Sequence, residues 1–230
     1  MTKPILSLQN IPCETLGHFE GLFLNDGFDI EKVNTRKHGV PKDPTQYSAI
    51  VILGGPMSVY ENSDFIINQI NLAQIASKKR TPVLGICLGS QIIAQSSGGT
   101  VFKGPRKEIG WYKIMIESAG SEDLFSGFHN SRPKVFQWHG DTYSLPKAAV
   151  ILARSDIYPQ AFTIGSLIGI QFHLEVTEKM IQSWLRNYES EIISEKIDVL
   201  KIVKDSAVYI NELEKYCGLV YSNFCTKFSL

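Results

Sequence analysis

Short apolar runs and longer segments with helical spacing follow one another along the first hundred residues of the chain. Apolar or alternating runs predict strands at residues 4–10, 28–34, 49–55 and 81–86. Apolar residues three or four positions apart predict helices at residues 14–27, at residues 63–79 and directly after the fourth strand. Strands that alternate with helices in this way form a parallel sheet that helices cover on both faces.

The pattern changes between about residue 100 and residue 172, where a series of apolar or alternating stretches follow one another with short connections. A brief helical turn is predicted among them at residues 122–128, and a helix follows at residues 175–188. This arrangement favours one domain with a mixed sheet over two domains. The predicted fold is therefore α/β with three layers, a mostly parallel, mixed central sheet and helices on both of its faces.

The tail after residue 190 carries apolar residues at a nearly heptad spacing. They are Ile193, Ile197, Leu200, Val203, Ala207, Ile210, Leu213 and Cys217. Such a stripe predicts an amphipathic C-terminal helix. We interpret residues 1–189 as one domain and residues 190–230 as a helical extension that packs on it. The alternative is that the stripe forms the interface of a homodimer or of a complex with another protein.

Charge and composition argue against several classes of protein. Lys and Arg number 23, as do Asp and Glu, so the net charge is zero, whereas binding of nucleic acid or an anionic membrane favours a basic surplus. No apolar run approaches the roughly 20 residues of a membrane span, and MTKPILSLQN lacks the apolar core of a signal peptide. Four scattered cysteines indicate reduced thiols, and no Cys or His cluster has zinc spacing. We therefore expect a cytoplasmic protein without a metal site.

The stretch VLGICLGSQ at residues 83–91 carries the strongest chemical signal. Gly85 and Gly89 lie two positions before and after Cys87, between a predicted buried strand and a predicted helix. This arrangement is typical of a nucleophile elbow, a sharp and strained turn in which glycines prevent collisions between side chains. The dipoles at the start of the helix are expected to lower the pKa of the Cys87 thiol from its ordinary value of about 8.5. A buried structural cysteine is the alternative, and it fits the flanking elements less well.

A thiol nucleophile needs a base and a carboxylate that orients the base. Two of the five histidines stand in a His-x-acid pattern at the end of a predicted strand, namely His139 with Asp141 and His173 with Glu175. Residues i and i+2 of a strand point to the same side, so either carboxylate could hold its imidazole. The spacing alone does not choose between the two pairs.

Two backbone N–H groups near the predicted nucleophile are candidates for an oxyanion hole. One belongs to Leu88, which directly follows Cys87. The other belongs to Gly55 in the strand end LGGPMS, where the missing side chain would let a substrate oxygen approach. Such donors are typically worth about 3–4 kcal/mol of barrier each. By itself, the Gly-Gly-Pro sequence is more typical of a plain turn.

Together, in this order, these motifs resemble those of the class I glutamine amidotransferases, and most of all those of the glutaminase domain of GMP synthase and its stand-alone relatives. The matching stretches are LGGPMS (53–58), GICLGSQIIAQSSGG (85–99), KEIGW (107–111), QWHGD (137–141) and GIQFHLEVT (169–177). The likeness is strong over residues 49–180 and general over residues 1–48, and residues 190–230 match nothing familiar. The nucleophile block and the second His/Glu block together make the resemblance specific.

The resemblance implies a role for each candidate residue. The catalytic triad it implies consists of Cys87 as nucleophile, His173 as base and acid, and Glu175 as the orienting carboxylate. The other implied contacts are an oxyanion hole at Gly55 and Leu88, substrate binding at Gln91, and a pocket wall at His139, Gly140 and Asp141. In such enzymes the cysteine attacks the side-chain amide of glutamine, ammonia leaves, and water hydrolyses the γ-glutamyl thioester. No cofactor is implied.

The sequence departs from the family pattern at Leu174, where the family usually has proline between the His and the Glu. We expect a local adjustment of the backbone there and no loss of activity, because the i, i+2 relation survives. The ATP pyrophosphatase loop S-G-G-x-D-S of GMP synthase is also missing, since SSGGTV (96–101) lacks its Asp and its second Ser.

Three functions therefore remain open at this stage. The first is a glutaminase that releases ammonia from L-glutamine for a partner synthase. The second is a stand-alone hydrolase that cleaves γ-glutamyl conjugates by the same thioester chemistry. The third is a non-catalytic binding or regulatory domain, which the intact Cys, His and Glu argue against.

Overall fold

The computed structural model describes residues 3–230 and arranges their strands in two sheets. The strands are β1 (Ile5–Gln9), β2 (Ile30–Asn34), β3 (Ala49–Ile52), β4 (Val83–Ile86), β5 (Thr100–Lys113), β6 (Met115–Ile116), β7 (Lys134–Ser144), β8 (Val150–Arg154), β9 (Pro159–Ile164) and β10 (Leu167–Ile170). The helices are α1 (His18–Asn25), α2 (Thr35–His38), α3 (Asp64–Lys79), α4 (Leu88–Ser96), α5 (Ser118–Ser121), α6 (Glu178–Asn187), α7 (Glu189–Ser194) and α8 (Val199–Phe228). Short 3₁₀ turns lie at Pro44–Gln46 and Val59–Glu61.

The large sheet has eight strands in the order β2-β1-β3-β4-β10-β9-β8-β6. The first five strands run parallel to one another, and β9, β8 and β6 extend the sheet in antiparallel fashion. Every residue of β3, β4 and β10 is buried, as expected of strands covered on both faces. The predicted three-layer fold with a mostly parallel, mixed sheet is confirmed.

Neighbouring residues of a strand supply two different hydrophobic cores. Ile5 of β1 belongs to the core that also holds Trp184 of α6 and Phe224 of α8. Leu6 belongs to the opposite core, which it shares with Ile66 of α3. This follows from the two-residue period of a strand, and it places helices on both faces of the sheet. The carboxyl ends of the parallel strands meet at one edge, where ligands bind in folds of this kind.

Strands β5 and β7 form a separate antiparallel ribbon whose register shifts between Lys103 and Glu108. The ribbon is attached to the end of β10, because the backbone N–H of His173 donates to the carbonyl of Phe136 over 2.8 Å. This contact brings residues 137–141 of the ribbon against the carboxyl edge of the large sheet.

The loop between β1 and α1 is longer than predicted, because α1 begins at His18 and not near residue 14. Gly17 has a positive φ of 50°, and a Cβ atom on it would lie 1.9 Å from the carbonyl oxygen of Glu175. The N–H of His18 donates to that same oxygen over 2.9 Å. Residues 14–17 are therefore held as a loop against the segment that carries Glu175. The helical turn predicted at residues 122–128 begins earlier than predicted, as α5, and residues 122–127 continue it as hydrogen-bonded turns.

The predicted C-terminal stripe is only partly correct. The chain breaks between α7 and α8 at Lys196, which has a positive φ of 54°. The buried face of α8 is formed by Ile202, Ser206, Leu213, Tyr216, Cys217, Val220, Tyr221 and Phe224. Of the predicted stripe, the exposed residues are Ile193, Leu200, Val203 and Ala207. The predicted spacing is shorter than the 3.6-residue period of a helix, so the stripe rotates away from the buried face.

Helix α8 packs on the rest of the chain through its buried face. The indole N–H of Trp111 donates to the hydroxyl of Ser206 over 2.9 Å, and the hydroxyl of Tyr221 donates to Asp26 over 2.6 Å. Although α8 has 30 residues, no helix within residues 3–230 combines the length and the apolar character that crossing a membrane requires.

Candidate active site

Cys87 occupies the sharp turn between β4 and α4. Its φ of 51° and ψ of −107° lie outside the regions that residues with a side chain usually adopt. The backbone N–H of Cys87 donates to Ile170 of the neighbouring strand over 2.8 Å, which fixes the turn against β10. The local geometry is that of a nucleophile elbow, with the sulfur at the N-terminus of a helix.

His173 and Glu175 form a buried pair just beyond β10. The Nδ1 atom of His173 lies 2.7 Å from Oε1 of Glu175, and each side chain is only 2% exposed. Leu174 between them is buried in the hydrophobic core, so the two polar side chains share one side of the extended segment. The change from proline to leucine therefore leaves the i, i+2 relation in place.

The charges of Cys87 and His173 depend on each other. Burial raises the pKa of the Cys87 thiol, and the charge of His173 opposes this rise. Burial alone would lower the pKa of His173, but the charges of Glu175 and Cys87 outweigh it and hold that pKa well above its ordinary value. The sequence-based expectation of a lowered Cys87 pKa is wrong, because burial raises that pKa more than His173 lowers it. Thiolate formation depends on the positive charge of His173.

A cavity of about 170 Å³ opens in front of Cys87. Its wall contains the predicted residues Cys87, Gly55, Gln91, His139, Gly140 and Asp141. It also contains Glu14, Lys107, Trp138, Tyr188 and Glu191, together with residues 56–58. The structure thus brings the predicted substrate contacts together around one sulfur atom, with polar groups on most sides.

Of the two predicted oxyanion donors, Gly55 lines this cavity, and Leu88 directly follows Cys87. Leu88 is the first residue of α4, and the N–H groups of the first helical turn have no partner within the helix. Gly55 lies against Leu88, since a Cβ atom on Gly55 would lie 3.2 Å from the Leu88 side chain. The two backbone segments therefore approach each other beside the nucleophile.

Amide side chains surround the sulfur of Cys87. The Nε2 group of Gln171 donates toward Sγ over 3.7 Å, and the carbonyl of Trp138 lies at the same distance from Sγ. Gln91 donates to Oε1 of Gln171 over 3.3 Å and to the carbonyl of Asp141 over 3.4 Å. This network fixes the surroundings of the sulfur.

The second histidine pair that the sequence suggests does not form between side chains. His139 Nδ1 contacts the backbone carbonyl of Asp141 at 2.9 Å, and its Nε2 lies 3.2 Å from the buried carboxyl of Glu108. Because a carbonyl only accepts, Nδ1 must carry the hydrogen. The carboxylate of Asp141 is instead bound by the hydroxyls of Ser58 at 2.5 Å and Tyr60 at 3.1 Å. Both ring nitrogens of His139 are engaged by the protein, so His139 belongs to the pocket wall.

Sequence reasoning missed the acidic residue Glu14 and the three pocket residues Lys107, Tyr188 and Glu191. Lys107 pairs with Glu191 at 2.6 Å, and Trp138 donates its indole N–H to the same carboxylate over 2.9 Å. Glu14 could have been predicted as a site residue, because it follows a predicted buried strand and the loops after such strands bind ligands at the carboxyl edge of the sheet. Tyr188 and Glu191 had no such signal, since they follow a helix.

Within residues 3–230, no cluster of three or more His, Cys, Asp or Glu side chains is arranged to hold a metal ion. The groups around Cys87 can instead supply a nucleophile, a proton carrier, an orienting carboxylate and backbone donors. These are the parts that acyl transfer through a thioester requires.

Comparison with known proteins points to one family. The family model described as glutamine amidotransferase class I matches residues 24–188. The glutamine amidotransferase-like protein YfeJ of Salmonella typhimurium is 32% identical over 163 residues, which cover 66% of this chain and 67% of YfeJ. The GMP synthase of Spiroplasma kunkelii is 34% identical over 69% of this chain, but the match spans only 28% of that synthase.

Two solved structures resemble nearly the whole chain, including α8. A glutamine amidotransferase of Thermotoga maritima is 31% identical with a TM-score of 0.89, and all of both chains is covered. A glutamine amidotransferase of Methylobacillus flagellatus is 26% identical with a TM-score of 0.91, covering 98% of this chain and 95% of that one.

Proposed function

Because the chain belongs to the class I glutamine amidotransferase family, we propose that it hydrolyses the side-chain amide of glutamine with Cys87 as nucleophile. The observation that carries this proposal is the strained Cys87 elbow at the cavity, together with the buried His173–Glu175 pair whose charge acts on the Cys87 thiol. The triad, the thioester and the substrate are parts of the proposal.

In the first step, the thiol proton of Cys87 passes to His173, and the sulfur attacks the amide carbon of glutamine. Glu175 holds Nδ1 of His173, so that Nε2 is free for this proton. The oxygen of the tetrahedral intermediate accepts hydrogen bonds from the N–H groups of Gly55 and Leu88. The carbon–nitrogen bond then breaks, His173 returns its proton to the nitrogen, and ammonia leaves a γ-glutamyl thioester on Cys87.

In the second step, water attacks the thioester while His173 takes one of its protons. The carbon–sulfur bond breaks, the proton returns to the sulfur, and glutamate leaves. The amide and backbone groups of Gln91, His139, Gly140 and Asp141 surround the substrate along the cavity wall. Apart from glutamine and water, no other reactant is needed to balance the two steps.

We propose that the ammonia serves a partner synthase. The GMP synthases that the chain resembles are named as glutamine-hydrolysing enzymes, and this chain matches about a quarter of their length. The ammonia acceptor and a homodimer are parts of this proposal. A cytoplasmic location is also part of it, and the four free cysteines support that location.

A γ-glutamyl conjugate is the second candidate substrate. Lys107 and Glu191 line the cavity and are each about 30% exposed, so this part of the wall borders solvent. A substituent on the substrate nitrogen could leave the cavity there. Cleavage would use the same thioester.

The test is glutamate release by the purified chain from L-glutamine or from a γ-glutamyl dipeptide. Cys87→Ala and His173→Ala should each lower turnover by at least about 10³-fold, and Glu175→Gln should also lower it. Cys225→Ala is the matched control, because that thiol lies on α8 away from the cavity. Loss of turnover in His139→Ala but not in His173→Ala would overturn the triad.

The choice of substrate is decided by the same assay. Turnover of the dipeptide alone would favour the γ-glutamyl hydrolase. Failure of both substrates, together with no labelling of Cys87 by a thiol-directed glutamine analogue, would favour the non-catalytic domain.

A further inference from the structure

Glu14 is a buried carboxylate that the proposed triad does not use. The residue is 6% exposed and lies in the loop between β1 and α1, where it contributes to the wall of the cavity in front of Cys87. Its Oε1 atom accepts a hydrogen bond of 2.7 Å from the hydroxyl of Tyr188. Its Oε2 atom is buried and has no hydrogen-bond partner in the described chain.

The unpartnered oxygen of Glu14 faces His173 across Gly54. A Cβ atom built on Gly54 would lie 2.0 Å from Oε2 of Glu14 and 3.2 Å from Cε1 of His173. Both atoms therefore border the same point beside the Gly54 backbone. Any residue other than glycine at position 54 would displace this carboxylate or the imidazole ring.

His173 is thus flanked by two carboxyl groups from different parts of the chain. Glu175 holds its Nδ1 edge, Glu14 borders its Cε1 edge, and Cys87 is the third charge that acts on it. From α6, the neutral indole of Trp184 packs on the ring, with 4.7 Å between the ring centroids. Behind Glu14 lie the hydroxyl of Tyr188 and the thiol of Cys13.

Burying a carboxylate with an unpartnered oxygen lowers the stability of the fold unless another interaction offsets the lost hydration. An ionised carboxylate with an oxygen that lacks a partner loses hydration without compensation, whereas an apolar side chain would lose nothing. Burial raises the pKa of Glu14, and the charge of His173 and the Tyr188 hydrogen bond act against that rise. Oε2 of Glu14 can interact favourably with the positive charge of His173.

We propose that Glu14 is a positioning residue for His173, a second carboxylate that stabilises the imidazolium formed when Cys87 gives up its proton. The proposal deepens the proposed function, since it assigns a further residue to the same site. Glu175 neutralises one edge of the ring and fixes its orientation. Glu14 acts on the ring from the Cε1 side through its charge. Tyr188, from the segment between α6 and α7, keeps the carboxylate in place.

The direction in which a substitution of Glu14 shifts the pKa values of His173 and Cys87 distinguishes this role from simple packing. A carboxylate beside the pair holds the proton on His173 and repels negative charge on Cys87, so it raises the pH at which each group loses its proton. Replacing Glu14 with glutamine should therefore move both titrations to lower pH by roughly one unit. A residue that only fills space would change rates without moving either titration.

The experiment measures the rate at which iodoacetamide alkylates Cys87 between pH 5 and pH 10, with the modified peptide quantified by mass spectrometry. Glu14→Gln should shift this profile to lower pH, and the alkaline limb of kcat/KM for glutamine should shift in the same direction. Glu20→Gln changes a partly exposed carboxylate that pairs with Lys32; it is the matched control and should shift neither profile. Glu14→Asp, which withdraws the carboxylate by one methylene, should give a smaller shift of the same sign.

An alkylation profile of Glu14→Gln that coincides with that of the wild type, whatever its rate, would overturn the proposal. If Glu14→Gln does not fold, an unshifted profile for Glu14→Asp would overturn it in the same way. Alkylation requires no substrate, so the two proposals can fail separately. A shifted profile in a protein that does not hydrolyse glutamine would support the role of Glu14 and contradict the proposed substrate.

Discussion

A Cβ atom on Gly85 would lie 2.4 Å from the carbonyl oxygen of Gly89, so the two glycines that flank Cys87 touch each other across the elbow. Gly89 has a further reason to lack a side chain, because its Cβ would lie 2.0 Å from the carbonyl oxygen of Ile52 in β3. Both contacts involve backbone atoms, which cannot move aside. The symmetric spacing of the two glycines thus has two separate causes, the elbow itself and the approach of α4 to the neighbouring strand.

Alanine at either glycine should therefore distort the elbow. We expect Gly85→Ala and Gly89→Ala each to lower the free energy of unfolding by about 3 kcal/mol and to reduce glutamine turnover strongly. Gly218→Ala is the opposite control, since Gly218 lies inside α8 with open space around it. It should stabilise the protein by about 0.5–1 kcal/mol. Urea unfolding measures all three, and a Gly89→Ala protein as stable as the wild type would contradict the steric account.

The parts of the site that the sequence predicts are those whose geometry is local. Cys87 follows a buried strand and precedes a helix, and His173 and Glu175 are two positions apart, so chain neighbours alone determine their relation. The fold is predictable for the same reason, because uninterrupted apolar runs such as those of β3 and β4 identify buried strands. The choice of His173 over His139 needed the family resemblance, since both stand in the same pattern.

The parts that sequence reasoning missed depend on packing between distant segments. Glu108 reaches His139 only through the pairing of β5 with β7, and Glu14 reaches His173 only because Gly17 holds its loop against Glu175. No local pattern encodes such contacts. The prediction of one continuous C-terminal helix failed for a related reason. No pattern in the sequence around Lys196 indicates the break that separates α7 from α8.

The contact of Ser58 with Asp141 should support the proposed oxyanion hole. Ser58 follows Gly55 by three residues, and its hydroxyl binds the Asp141 carboxylate on the ribbon at 2.5 Å. We expect Asp141→Ala to lower kcat for glutamine by roughly tenfold, because a loosened loop misplaces the Gly55 N–H. Tyr60→Phe removes only an exposed hydroxyl from the same carboxylate and should change kcat by less than about twofold. Equal effects of the two changes in steady-state kinetics would count against the role of the loop.

Glu191 should affect substrate binding more than chemistry. One of its oxygens pairs with Lys107 and the other accepts the indole N–H of Trp138, and all three residues line the cavity. We expect Glu191→Ala to raise KM for glutamine several-fold with little change in kcat, since the ion pair is partly exposed and the triad is untouched. Glu195→Ala is the matched control, because Glu195 contacts Lys107 at 3.1 Å but does not line the cavity. A large fall in kcat for Glu191→Ala would place this residue closer to the chemistry.

The buried carboxyl of Glu14 should make stability depend on pH in a direction opposite to that of an exposed, hydrogen-bonded acid. Burial raises the pKa of Glu14 above its unfolded value of about 4.3, so the folded state binds its proton more tightly than the unfolded state does. Wild-type stability is therefore lost as pH rises from the unfolded pKa through the folded one. Glutamine at position 14 does not titrate, so the free energy of unfolding of Glu14→Gln should rise relative to the wild type between pH 4 and pH 7.

Asp43 provides the control of opposite sign, because hydrogen bonds from the Thr45 hydroxyl and N–H lower its pKa. A carboxyl with a lowered pKa stabilises the fold above its unfolded pKa, and Asp43→Asn should lose that contribution as pH rises. Urea unfolding of the wild type and both variants between pH 2.5 and pH 7 gives the two slopes, because the Asp43 contribution develops mainly below its unfolded pKa of about 3.9. Parallel curves for Glu14→Gln and the wild type would mean that Glu14 has the same proton affinity in the folded and unfolded chain, which would contradict the raised pKa of Glu14.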